Sequence, residues 1–114
     1  MPLSHYLKNP IQGGGTITFW WDPAFEVTGT PLTYDLQVSS TPDFSAGTIV
    51  VDNRGIADSP NRVESTISQS ALPAGTWYYR VLARTSDPAL YQVAKNLLNE
   101  GGQSHIGVRR FSVP

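Results

Sequence analysis

Leu72-Pro73-Ala74-Gly75-Thr76-Trp77-Tyr78-Tyr79-Arg80-Val81-Leu82-Ala83 is the stretch on which the fold turns. Pro73 and Gly75 mark a corner, and the longest strand signal in the chain follows it. Trp77, Tyr79, Val81 and Ala83 share one face of that strand, and Tyr78, Arg80, Leu82 and Arg84 share the other. Aromatic and β-branched side chains suit a pleated, half-buried surface.

The same period recurs on both sides. In 16–21, Ile17, Phe19 and Trp21 alternate with Thr16, Thr18 and Trp20, and Asp22-Pro23 ends the run. Gly29, Thr30 and Pro31 mark a turn. In 32–40, Leu32, Tyr34, Leu36 and Val38 alternate with polar residues, the pattern of a sheet with one wet face. Phe44 in the following loop is expected to fold back onto the core. A shorter strand is predicted over 48–52, a polar loop over 53–61, another strand over 62–69, and a closing strand over 107–113 with Phe111 and Val113 inward. The predicted core is Ile17, Phe19, Trp21, Tyr34, Leu36, Val38, Ile67, Leu72, Tyr79, Val81, Ala83 and Phe111.

Composition bounds the rest. The 114 residues make one domain, able to bury a core of its own. Charged residues are 15% of the chain, too few for a disordered or coiled-coil sequence. The net charge of -1 offers no basic excess for nucleic acid. No cysteine is present, so disulfides and thiolate chemistry are excluded. No apolar run reaches the roughly 20 residues of a membrane-spanning helix. Residues 1–14 read as a poorly defined first strand or linker, with His5, Tyr6 and Leu7 as a possible edge. They lack the charged-then-apolar pattern of a secretion leader, and the start reads as the boundary of an excised segment.

One segment changes period. Over 87–99, Leu90, Val93, Ala94, Leu97 and Leu98 recur at spacings of three and four. Asp87 suits an N-cap, Pro88 the first helical position, and Gly101-Gly102 a C-terminal stop. These signals predict a short helix within an insert spanning 86–102, before the last strand. A long loop with a β-like Tyr91-Gln92-Val93 is the competing reading.

Trp21-Asp22-Pro23, then Leu32-Thr33-Tyr34-Asp35-Leu36, then the Leu72–Ala83 run together resemble the fibronectin type III pattern. The likeness covers 15–84 well and 105–114 loosely. It implies an all-β, immunoglobulin-like sandwich of about seven antiparallel strands, with the Trp21 ring between the sheets. More narrowly, the chain is similar to fibronectin-like domains of bacterial surface and secreted proteins. Such modules stand beside the kinase-like domain of spore-coat CotH-type proteins and in glycan-degrading enzymes. Trp77 stands where the family often has a corner tyrosine, so that corner's hydroxyl-to-backbone bond is expected to be missing or altered. No Arg-Gly-Asp tripeptide is present.

Function follows less directly, because one sandwich serves many roles. His5 and His105 are the only histidines, at opposite ends of the chain, and neither sits in a catalytic motif. No catalytic residue, cofactor or metal ligand is assigned. Asp22, Asp35, Asp43, Asp52 and Asp58 are calcium-type ligands but lack the spacing of a calcium loop. Trp20, Tyr78 and Tyr91 are candidate sugar-stacking rings, although Trp20 and Tyr78 belong on different sheets and face apart. Tyr91 and Lys95, with Asn96, could face outward from the insert toward a partner while its aliphatic residues pack down. Arg109 and Arg110 face opposite ways and form no basic patch, but either could pair with Glu100. The resemblance implies a non-catalytic spacer and interaction module of a larger extracellular or cell-surface bacterial protein. Its partners would be neighbouring domains, a surface protein or a glycan, with no nucleic acid and no membrane insertion. A carbohydrate-binding module is the first alternative, and a small enzyme the remote one.

Overall fold

The computed structural model describes residues 2–3, 6–26, 32–84 and 91–114, with backbone alone for 2–3 and 25–26. The strands are β1 (Pro2–Leu3), β2 (Ile11–Gly13), β3 (Thr16–Trp21), β4 (Phe25–Glu26), β5 (Thr33–Ser39), β6 (Ile49–Ala57), β7 (Val63–Ser68), β8 (Gly75–Arg84), β9 (Tyr91–Gln92), β10 (Leu97–Glu100), β11 (Gln103–Ile106) and β12 (Val108–Val113). One 3-10 turn, Gln69–Ala71, precedes β8. All strand pairs are antiparallel.

Two sheets form the body. One has the order β2-β3-β7, the other β12-β8-β5-β6 with β9 added beside β8. The alternation read in the sequence sets their facing surfaces. Ile17, Phe19, Trp21 and Val63 come from the first sheet. Tyr34, Leu36, Val38, Tyr79, Val81, Ala83, Phe111 and Val113 come from the second, and all are buried in one cluster. Rings lock across the gap edge to face. Phe19 meets Tyr79 at 4.9 Å and Phe111 at 5.3 Å, and Trp21 meets Tyr34 at 5.7 Å. The chain is thus an all-β antiparallel sandwich. Every expected core residue is buried except Ile67, which is partly so and packs against the cluster.

Several expectations need correction. Residues 91–99 contain no helix: they form β9, a bend and the start of a hairpin. Asp87, Pro88 and Leu90 lie outside the described residues, as do His5, Gly29, Thr30 and Pro31. The reason lies in Gly101 and Gly102, whose φ values are +63° and +76°. Two consecutive left-handed residues make the tight hairpin turn that matches strand twist, so Gly-Gly folds β10 onto β11 instead of stopping a helix.

The strand after Ser39 is longer than expected. β6 runs on to Ala57 through a register shift opposite Tyr34 and Leu36, and Gly55, at φ +72°, falls within the irregular stretch. Phe44 does not reach the inter-sheet core. It packs with Tyr78 and Val108 on the outer side of the second sheet. That outer side is not wet along β5, since Asp35, Gln37 and Ser39 are buried. Arg84 reaches Asp35 at 2.6 Å, and Arg80 reaches Gln37 at 2.7 Å. The Arg80 guanidinium lies over the Phe44 ring, and that of Arg84 lies over Tyr91. Long cationic side chains laid flat under aromatic rings roof the strand.

Buried phenols tie down the first strands. The Tyr79 hydroxyl donates to the Lys8 carbonyl, and Tyr34 Oη accepts from Ala24 N–H at 2.9 Å and donates to Asp58 at 2.8 Å. Burial pushes both phenols above the ordinary tyrosine value, and the Asp58 carboxylate adds to this at Tyr34. The folded state then holds these protons more tightly than the unfolded chain does. Their contribution is complete below about pH 10, where a free tyrosine titrates, and is lost as pH rises through the raised folded values. Urea midpoints measured from about pH 8 to about pH 11.5 should fall above about pH 10, less steeply in Tyr34→Phe. A flat midpoint over that window overturns the assignment.

Candidate interaction surface

The segment before β12 carries the two most exposed large apolar side chains among the described residues, Leu97 and Ile106. The register sets Leu97 opposite Ile106, Leu98 opposite His105, Asn99 opposite Ser104, and Glu100 opposite Gln103. Directly opposed residues share a face of a two-stranded ribbon. Leu98 packs against the Phe44, Tyr78 and Val108 cluster, so its face is the inner one. Leu97 and Ile106 are on the other face, 60% and 69% exposed. Beside them Ser104 Oγ donates to Asn99 Oδ1 at 2.7 Å.

Three clamps hold the ribbon. At its base Gly107 N–H donates to the Asn96 carbonyl at 2.7 Å. Gly107 has φ +80°, and a Cβ there would stand 2.7 Å from Val93 Cβ, so only glycine fits. The Asn96 amide grips the backbone of Leu7 from both sides, accepting its N–H at 2.7 Å and donating to its carbonyl at 3.2 Å. Near the turn, the Tyr78 hydroxyl and Arg110 Nη1 both donate to the Glu100 carboxylate. Those two donors hold the Glu100 carboxyl below the usual range, while burial first and Glu100 second raise the Tyr78 phenol.

Hollows adjoin the ribbon. A cleft of about 230 Å³ between β10 and β12 is lined by Asn96, Leu97, Leu98, Val108, Arg109 and Arg110. A second, of about 360 Å³, lies between the 41–47 loop and the ribbon, with Asp43, Glu100 and His105 on its walls. Asp43 is held in its ionised form by Thr41 Oγ1 first and by the Ser45 N–H second.

The structure does not bring the four sequence-predicted contact residues together. Trp20 is half-buried on the outer side of the first sheet. Its indole N–H donates to the Asn9 carbonyl at 3.0 Å, and Arg62 covers one ring face at 4.8 Å. Tyr78 is on the second sheet but is 8% exposed, roofed by Phe44 and the ribbon, so it is an anchor and not an open stacking ring. Tyr91 is 49% exposed and stacked on Arg84. Lys95 is exposed, 5.9 Å from the Tyr6 ring. Leu97, expected to pack down, points to solvent instead. A helical reading puts Leu97 and Leu98 on one stripe, whereas a strand sends neighbours to opposite faces. Ile106 falls between the expected 86–102 insert and the expected 107–113 strand, so the sequence reading assigns it to no element, whereas it closes β11.

The five aspartates are dispersed. Asp22 meets Lys8, Asp35 meets Arg84, and Asp52 meets Arg54, while Asp43 and Asp58 bond to nearby hydroxyls and N–H groups. Among the described residues no three His, Asp or Glu converge as a metal site. Fold and surface together define an antiparallel β-sandwich with a clamped hairpin packed on the outer side of one sheet. No family model, curated protein or solved structure matches the chain.

Proposed function

We propose that this chain is a non-catalytic accessory module of a larger bacterial surface or secreted protein, related to fibronectin type III domains. It spaces neighbouring domains and offers its hairpin as a contact surface. The observation that carries the reading is the rigidly clamped ribbon presenting Leu97 and Ile106 to solvent. An apolar pair held outward on a braced element costs solvation in isolation and gains it back on contact.

Two features support the family kinship. Seven principal strands divide three against four, as immunoglobulin-like sandwiches do, with Trp21 between the sheets. At the corner before β8, the Trp77 indole N–H donates to the Pro73 carbonyl at 2.9 Å. That bond does the work a corner tyrosine's hydroxyl does, with a different donor.

The test is an amide shift titration of the labelled chain with calcium and with cello-, xylo- and manno-oligosaccharides, run beside Leu97→Asp and Ile106→Asp. The expected result is no localised shift with any of these probes, and melting temperatures of both variants within about 2 °C of the parent, as for exposed positions. Saturable shifts centred on Trp20 or Tyr91 with a glycan would replace the spacer reading with a carbohydrate-binding module. A large drop in melting temperature would make the pair part of the fold and remove it as a contact surface.

A further inference from the structure

We propose that the free edge of β7 pairs antiparallel with the same edge of a second copy of this chain, about a two-fold axis at Ser65. The two three-stranded sheets then join into one sheet of six strands.

The edges of the two main sheets are guarded unequally. A sheet edge is a row of unpaired N–H and C=O groups, and bulges, charges, shortness or a covering segment normally blunt it. β6 is broken by register shifts, holds Gly55 at φ +72° and carries the Asp52–Arg54 ion pair. β2 has three residues and ends in Gly13. β12 is crossed by Gln12, whose Nε2 donates to the Ser112 carbonyl at 2.7 Å, and β10 packs beside it. β7 has none of these guards. It pairs with β3 in unbroken register, from Val63 against Trp21 to Ser68 against Thr16. Among the described residues no strand pairs with its other side. Alternate residues of a strand present their backbone groups to each side, so about half of β7's groups face outward there.

The side chains that could shield this edge are drawn back over β3. The Arg62 guanidinium lies over the Trp20 ring at 4.8 Å, and its Nε donates to Glu64 at 2.9 Å. The Thr66 hydroxyl meets that of Thr18 at 2.9 Å. The core also shows at this end of the sandwich. Gln12 links β2 to β12 at one end, so β7 and β6 share the other. Val51 and Ile56 of β6 and Ile67 of β7 pack against the inter-sheet cluster yet stay partly exposed.

A second copy fits because β7 is self-complementary. Antiparallel pairing keeps inward side chains inward only when paired positions differ by an even number. Centred on Ser65, Val63 meets the partner's Ile67, Glu64 meets the partner's Thr66, and Arg62 meets the partner's Ser68. Apolar opposes apolar, and no like charges face each other. Centring on Glu64 instead would oppose two carboxylates, and centring on Thr66 would set Ile67 against the partner's Ser65. A two-fold contact closes on itself, so it yields dimers and not open chains. One strand pair is a small interface, which suits a dissociation constant on the order of 100 µM.

The experiment is sedimentation velocity and amide shifts of the full chain, from about 20 µM to about 1 mM, a range that brackets such a dimer. The mass should rise toward that of two chains, with shifts centred on 62–68. Thr66 is exposed, so its variants leave the core intact. Thr66→Glu opposes a carboxylate to the partner's Glu64 on both sides of the axis and should weaken the dimer at least about tenfold. Thr66→Lys places an ammonium there twice and should strengthen it about threefold.

A monomer at every concentration would overturn the proposal. So would a dimer of the same affinity in all three proteins, since the contact would lie elsewhere. Equal weakening by both variants would rule out this register. Concentration-dependent shifts at Leu97 and Ile106 in place of 62–68 would make the ribbon the self-contact. The ribbon lies on the second sheet and β7 on the first, so the accessory-module reading is tested separately, by glycan shifts and the Leu97 and Ile106 variants.

Discussion

Trp21→Ala should lose about 3–5 kcal/mol of stability, a large part of what a domain of this size holds. Trp21 is fully buried at the end of β3, and its ring meets Tyr34 of the opposite sheet edge to face at 5.7 Å. Truncation removes the largest side chain in the core and leaves a cavity that β-strands cannot collapse around. One detail sharpens the expectation. The Trp21 indole N–H is buried and has no acceptor among the described residues. Trp21→Phe removes that stranded donor along with some apolar area, so the two effects oppose. It should cost about 1 kcal/mol, well under the alanine variant. Urea unfolding of both variants gives the comparison. A loss below about 1 kcal/mol for Trp21→Ala would mean that the ring is not the keystone between the sheets.

The second large effect concerns the outer face. Arg84→Met should lose about 2–3 kcal/mol, because it strands a carboxylate. Asp35 is 5% exposed on β5, with Arg84 Nε at 2.6 Å and the Gly55 N–H at 3.2 Å. Breaking one side of a buried ion pair is costlier than the pair is worth. Methionine keeps most of the aliphatic stem, which separates loss of charge from loss of packing. The double variant Asp35→Leu with Arg84→Met should recover most of the loss, since it leaves no buried charge. If the double variant is as unstable as the sum of the singles, the pair is not acting as a coupled unit and this account fails.

How far the sequence alone reached can be judged strand by strand. Where one face of a strand is apolar and the other polar, period 2 states both the strand and its inward side. That holds for 16–21, 75–84 and 108–113, and it is why Phe19, Tyr79 and Phe111 were placed correctly between the sheets. Gly and Pro marked the corners for the same local reason.

The insert defeated the same reasoning. Leu90, Val93, Ala94, Leu97 and Leu98 carry a helical period, and Gly101-Gly102 reads equally as a helix stop or a hairpin turn. Local signals of equal weight leave the choice to long-range contacts. Here Leu98 buries against Tyr78, Asn96 grips Leu7, and Glu100 is claimed by Tyr78 and Arg110. Asn96 and Leu7 are 89 positions apart, and Glu100 and Tyr78 are 22 apart, beyond any window of periodicity. The contact residues failed for a related reason. Tyr78 is outward by strand parity, yet a loop residue, Phe44, and the ribbon roof it.

Strand alternation, turn residues and an aromatic core were thus written locally and could be read from the chain, because each depends on neighbours one to four positions apart. The long-range packing decided which outward faces stay open, and that Leu97 and Ile106 stand side by side in solvent. Solvent exposure is a property of what the rest of the chain covers, and only the assembled sandwich determines that.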